Sequence, residues 1–120
     1  MDLEQPCPKY KQAISILGKR WTGLIIRALL GGSCHFSSIT SYVQGLSDRL
    51  LSQRLKELEA EGIVERHIYP ETPVRVEYVL TPKGKELQEI VEAIQRWADR
   101  WTLDLEEGEE PEGGRARRGP

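Results

Sequence analysis

The sequence predicts a mainly α fold with one small β-hairpin, and three observations predict it. Apolar residues recur at three- and four-residue spacing through most of the chain. The pattern switches to strict alternation only between Val64 and Leu80. Gly, Ser or Pro stands at nearly every change of pattern. A chain of 120 residues, 38% apolar and 30% charged, suits a single compact domain with a wet surface.

Pro8 fits the first position of a helix, where its missing N–H has no cost. That helix carries Tyr10, Ala13, Ile14 and Leu17 on one side and ends at Gly18. A second runs from about Trp21 to Leu30, with Trp21, Leu24, Ile25, Ala28 and Leu29 as its stripe, and Gly31-Gly32 stop it. Ser37 is a candidate cap for a short third helix bearing Ile39, Tyr42 and Val43. Gly45 supplies a tight turn. Ser47 then caps a helix from Asp48 to Glu61, and Asp48 suits the positive end of its dipole. Leu51, Leu55 and Leu58 form a narrow seam that must face the core, and Gly62 closes the helix.

Val64, Arg66 and Ile68 then alternate with Glu65, His67 and Tyr69. After a four-residue turn, Pro70 to Pro73, Val74, Val76, Tyr78 and Leu80 alternate with Arg75, Glu77 and Val79, which reads as a β-hairpin. Thr81-Pro82 opens one long last helix with Gly84 in its weakened first turn. Its stripe is Leu87, Ile90, Val91, Ile94, Trp97, Ala98, Trp101 and Leu105, about six turns long. Residues 107–120 are dominated by Gly, Pro, Glu and Arg, so a disordered acidic and basic tail is expected behind an ordered domain spanning 1–106. Helix, helix, helix-turn-helix, hairpin and long helix in that order make a winged helix-turn-helix, with extra N- and C-terminal dimerisation helices.

Charge is unevenly spread. Of 19 acidic and 17 basic side chains, six acids and three bases lie after Trp101. The remaining body is close to neutral, so the placement of charges decides the partner. The longest apolar stretch, Leu24 to Leu30, is broken by Arg27 and is far short of the roughly 20 residues of a membrane span. Residues 1–6 lack the basic and apolar regions of a secretory signal. Cys7 and Cys34 form no CxxC pair or zinc spacing, and a cytoplasmic chain with reduced thiols is expected. Cys34 and His35 are metal-type donors, but two neighbours do not make a tetrahedral site, so no metal or other cofactor is expected. No Gly-rich phosphate loop or nucleophile–His–acid motif is present, which argues against an enzyme.

Opposite the leucine seam, Arg49, Ser52, Gln53 and Lys56 share one face of the helix after the Gly45 turn. Such a helix enters the DNA major groove, where Gln pairs with adenine, Arg with guanine, and Ser and Lys hold phosphates or base edges. Ser47 begins the helix, where a phosphate can sit. Arg54, beside the seam, can reach a phosphate or an acid of its own domain. Arg75 near the hairpin tip is a candidate minor-groove or phosphate contact, with His67 and Tyr69 as weaker ones. The alternative for Arg75 is pairing with Glu65 or Glu77 while Tyr69 packs on Pro70 or Pro73. Tyr10 and Ile14 of the first helix, with Leu87, Ile90, Val91, Ile94, Trp97 and Trp101 of the last, suit a homodimer interface. Two-fold pairing would set two recognition helices about 34 Å apart on double-stranded DNA.

The stretches Cys7-Pro8, Leu17-Gly18-Lys19-Arg20-Trp21, His35-Phe36-Ser37, Leu51 to Leu58, Gly62 to Arg66 and Val76 to Thr81 together resemble the HxlR-type winged-helix transcriptional regulators, relatives of the MarR group. The resemblance runs from Cys7 to about Trp101. It implies a homodimer that binds DNA through the second helix of the motif, assisted by the wing. The chain departs from the family before Phe36, where Cys34-His35 replaces basic residues. In several members a cysteine matching Cys7 senses oxidants or electrophiles. A helix N-terminus with Lys9 and Lys11 close by also favours a thiolate, which makes Cys7 a candidate redox sensor. A winged-helix module that binds proteins rather than DNA is the alternative function.

Overall fold

A computed structural model describes residues 3–101. The expected tail, and Leu105 at the end of the apolar stripe, lie outside the described residues. The order is α1 (Pro8–Leu17), α2 (Thr22–Leu30), α3 (Phe36–Tyr42), α4 (Asp48–Ala60), β1 (Val64–Tyr69), β2 (Arg75–Leu80), α5 (Pro82–Lys85) and α6 (Gln88–Trp101). This is mainly helical with a two-stranded antiparallel hairpin, as the periodicity predicts.

The core forms where α2, α3, α4 and the base of the hairpin converge. Ile25, Ile26, Ile39, Leu51, Leu55, Leu58 and Val64 are almost wholly removed from solvent. Each such aliphatic side chain contributes about 1.5–3 kcal/mol by burial. Trp21 precedes α2 with φ at 78°, a left-handed conformation that strains a non-glycine residue. Its half-buried ring packs against this core, with the Arg20 guanidinium 4.9 Å from the ring centroid.

Three local expectations change. The cap of α3 is His35 rather than Ser37: Ser38 Oγ accepts from the His35 N–H at 3.1 Å and donates to the His35 carbonyl at 2.8 Å. The helix thus starts two residues earlier than a Ser37 cap implies, because Ser38, at its third position, supplies the reciprocal bonds to His35. The hairpin turn is longer by one residue. Pairing begins at Tyr69 with Arg75, so Val74 belongs to the turn, which also holds a cis Thr72–Pro73 bond.

The long last helix is interrupted at Glu86-Leu87. Thr81 caps α5 by accepting from Gly84 N–H at 3.0 Å, and the Leu87 N–H turns back to the Gly84 carbonyl at 3.0 Å, a tighter bond than the α-helical ladder. Gly84 is buried against the base of the hairpin. A Cβ there would lie 2.2 Å from the Ile63 carbonyl oxygen and 2.9 Å from Leu80 Cδ2. Its glycine is therefore a requirement of close approach rather than a weak helical residue. Past the break, Leu87 and Val91 pack on the core. Arg27 of α2 donates to Gln95 of α6 and to Tyr42 of α3, which ties the last helix to the body.

Gly84→Ala should lower stability by about 1–3 kcal/mol, because the carbonyl it would strike is backbone and cannot swing aside. The urea midpoint at constant m-value measures this, and an unchanged midpoint would show that α5 can lift off the hairpin at no cost.

Candidate nucleic-acid interface

The turn and cap before α4 set its direction. Gly45 adopts φ +88°, which an L side chain rarely tolerates, and the turn passes close to the Trp21 ring. Ser47 Oγ accepts from Leu50 N–H at 3.1 Å, and Asp48 follows in the first turn. The buried Leu51–Leu55–Leu58 seam fixes the rotation about the helix axis, which leaves Arg49, Gln53 and Lys56 exposed and Ser52 half-buried at the edge of the same face.

The cations on α4 divide into two sets. Arg54 is committed inside the domain: Nε donates to the Arg20 carbonyl at 3.1 Å, and Nη1 lies 3.3 Å from Glu57 Oε1. The pairing with an acid of its own domain, one of its two expected roles, is present. Arg49 and Lys56 make no ion pair or hydrogen bond among the described residues. Gln53 makes one long contact, 3.5 Å from its amide nitrogen to Glu57 Oε2. The exposed face therefore presents two uncommitted cations, a hydroxyl and an amide that is barely engaged.

Glu57 organises the inner set. Lys19 Nζ, in the loop before α2, lies 3.2 Å from its Oε2. Burial works to raise the Glu57 pKa. The Lys19 hydrogen bond, the charges of Arg54 and Lys19 and the Gln53 contact outweigh it, so the carboxyl sits below its ordinary range. The Lys19 pairing is one that sequence spacing had no means to show, since residues 19 and 57 meet only in the folded chain.

At the wing, Arg75 has partners of its own. Its guanidinium lies 3.9 Å from the Tyr69 ring centroid, pairs with Glu71 at 2.9 Å, and also donates to Glu77. Hydrogen bonding from Arg75 holds Glu71 below the ordinary carboxylate range, and Glu71 with Glu77 keeps Arg75 firmly charged. Tyr69 thus carries the Arg75 guanidinium on its ring face. His67 Nε2 lies 3.0 Å from Glu65 Oε1. A chain of polar contacts continues inward: His35 Nε2 lies 3.5 Å from Glu77 Oε2, and His35 Nδ1 lies 3.5 Å from Cys34 Sγ.

Most of the apolar residues expected at a dimer interface lie exposed on this chain. Tyr10 and Ile14 on α1, and Ile90, Ile94, Trp97 and Trp101 on α6, are exposed, with Trp97 at 61% and Trp101 at 66%. Glu89, Ile90, Ala93, Ile94 and Trp97 line an apolar groove of about 450 Å³. Leu87 and Val91 of the same stripe face the chain's own core instead. Cys7 is the exposed residue that caps α1, without a side-chain cap bond. Among the described residues no helix is long and apolar enough to cross a membrane.

The family model described as HxlR-like helix-turn-helix matches residues 16–106. The uncharacterized HTH-type transcriptional regulator YvaP of Bacillus subtilis is 52% identical over 101 residues, covering 84% of this chain and 94% of that protein. The B. subtilis HTH-type transcriptional regulator YodB is 50% identical, covering 79% of this chain and 85% of its own length. In its reduced form, YodB superposes with a TM-score of 0.72 at 49% identity over 82% of this chain and 96% of that one. YodB has also been solved diamide-treated and quinone-bound, and both forms match. The oxidized redox regulator HypR gives a TM-score of 0.74 at 31% identity, covering 82% of this chain and all of that one. These relatives are transcriptional regulators, not enzymes.

Glu57→Gln should cost about 1 kcal/mol or less at neutral pH, since its partners are partly exposed. A carboxyl whose folded pKa lies below its unfolded one stabilises the fold above the ordinary carboxylate range, and loses that contribution as pH falls through the folded value. Wild type should therefore converge on the variant in unfolding free energy as pH falls below the ordinary carboxylate range. A difference that stays constant down to acid pH would show that Glu57 acts by packing rather than by charge.

Proposed function

The chain belongs to the HxlR-like helix-turn-helix family and is a transcriptional regulator of that type, and from that premise we propose that it works as a cytoplasmic homodimer on a near-palindromic double-stranded DNA operator read by α4. The carrying observation is the division of cations on α4: Arg54 is held inside the domain, whereas Arg49 and Lys56 stand exposed and unpaired among the described residues beside Ser52 and Gln53. Arg49 and Gln53 read base edges, and Ser52 and Lys56 hold the backbone. Ser47 and the first turn of α4 face a phosphate, as helix N-termini do. Arg75 is a second-rank contact, because a phosphate there must compete with Glu71 and Glu77. Arg54 acts from behind by holding Glu57.

Pairing rests on the exposed apolar faces of α1 and α6, which a lone chain would leave in water. The working unit is the domain from residue 1 to 106, with 107–120 as an accessory tail. Regulation by oxidants or soft electrophiles at Cys7 rests on two supports: its exposed position at the start of α1, next to the pairing surface, and the similarity to YodB, solved in diamide-treated and quinone-bound forms. A disulfide or adduct at that sulfur would alter the angle between paired subunits.

The test begins with genomic fragments recovered on the purified full chain. On such a duplex Arg49→Ala should cost about 1–3 kcal/mol and relax base choice at one position, whereas Lys56→Ala should weaken all sequences alike and reduce the salt slope. Both variants should sediment as dimers, like the wild type. Equal losses across operator variants, a monomeric wild type, or binding indifferent to salt would overturn the reading in favour of a protein-binding module. Cys7→Ser should abolish the effect of diamide or a quinone on DNA binding, measured by fluorescence anisotropy. An unaltered response in that variant would remove Cys7 from the mechanism.

A further inference from the structure

We infer that Cys34, His35 and Glu77 form a binding site for a divalent ion of the zinc(II) class, at the junction between the helix-turn-helix and the wing. One donor atom from each residue lies within 4.8 Å of the other two. In sequence Cys34 and His35 are only a pair. The fold supplies the third donor, because the Tyr78 N–H on β2 donates to the Cys34 carbonyl at 2.8 Å and so holds Glu77 alongside the loop. His35 is held from the other side as the cap of α3, by its backbone bonds to Ser38.

The separations fit the ion. Zinc bonds of about 2.0–2.3 Å at tetrahedral angles set neighbouring donor atoms roughly 3.3–3.8 Å apart. Cys34 Sγ and His35 Nδ1 are already 3.5 Å apart. Closing the rest of the site asks for a shift of about 1 Å at the end of the Glu77 side chain. Glu77 Oε2 now lies against the other ring nitrogen, Nε2, and pairs with Arg75, so the carboxylate must turn toward the Nδ1 edge to share an ion with the thiolate. A thiolate, an imidazole and a carboxylate together select zinc-like ions over magnesium or calcium, which prefer oxygen alone. Half-buried Cys34 also lines a surface groove of about 340 Å³ with Tyr78, which gives an ion a way in. With three protein donors, the fourth position is left to water. The Cys34 thiol proton leaves to solvent as the metal–sulfur bond forms, and no electron is transferred. The ion clamps the start of α3 to β2.

The experiment uses the reduced, metal-free full chain, titrated with cobalt(II) and then zinc(II). One equivalent per chain should produce near-ultraviolet thiolate charge transfer and tetrahedral visible bands, which zinc then abolishes. Cys34→Ser should erase the charge-transfer band, and Cys7→Ser should leave it. Glu77→Gln should weaken binding at least about tenfold, a loss that even an outer-sphere partner causes. Independently of any variant, zinc should protect Cys34, but not Cys7, from alkylation mapped by mass spectrometry. The inference falls if cobalt(II) gives no such bands and zinc leaves Cys34 alkylation unchanged, or if the band survives Cys34→Ser and follows Cys7 instead.

Discussion

The leucine seam of α4 is the constraint from which the rest of the surface follows. Leu51, Leu55 and Leu58 recur at three- and four-residue steps, and all three are buried against α2, α3 and the base of β1. A helix held by so narrow a stripe has one favourable rotation, because turning it would expose leucines and draw charges into the core. Arg49 and Lys56 are thereby placed in solvent without any contact among the described residues that holds them individually. The Gly45 turn and the Ser47 cap fix where the helix begins, and so which of its turns projects furthest.

Charge refines what packing sets. Glu57 draws Lys19, Arg54 and Gln53 toward the body, linking the loop before α2 to α4. The wing repeats the device with Glu71 and Glu77 around Arg75. In each place a carboxylate decides which cations remain available to a polyanion. The family supplies the architecture, and these local pairings divide the basic residues between structural and surface roles.

Helix identities and the strand alternation were legible because 3.6- and 2-residue periods are local properties of the chain. The register, Val64 with Leu80 through Tyr69 with Arg75, follows the alternation residue by residue. What escaped depends on contacts between distant segments. Whether Thr81 to Trp101 runs as one helix turns on the approach of Gly84 to the Ile63 carbonyl, and no window around Gly84 contains Ile63. The same limit hid Lys19 from Glu57 and Glu77 from Cys34. Candidate residues on one helix face could be grouped by spacing alone, whereas Arg54 and Arg75 needed the fold to show what holds them.

The hairpin carries one more consequence. Beside β2 runs the loop at Cys34, whose carbonyl takes the Tyr78 N–H, so the unguarded rim of the sheet belongs to β1. Along that rim the ionisable Glu65, Arg66 and His67 stand before Ile68 and Tyr69, and Pro70 follows the strand. A foreign strand docking there would have to strip water from those charges and would meet a residue with no amide hydrogen to share. The wing can thus protrude as a slender two-stranded finger in a crowded cell without templating fibrillar growth.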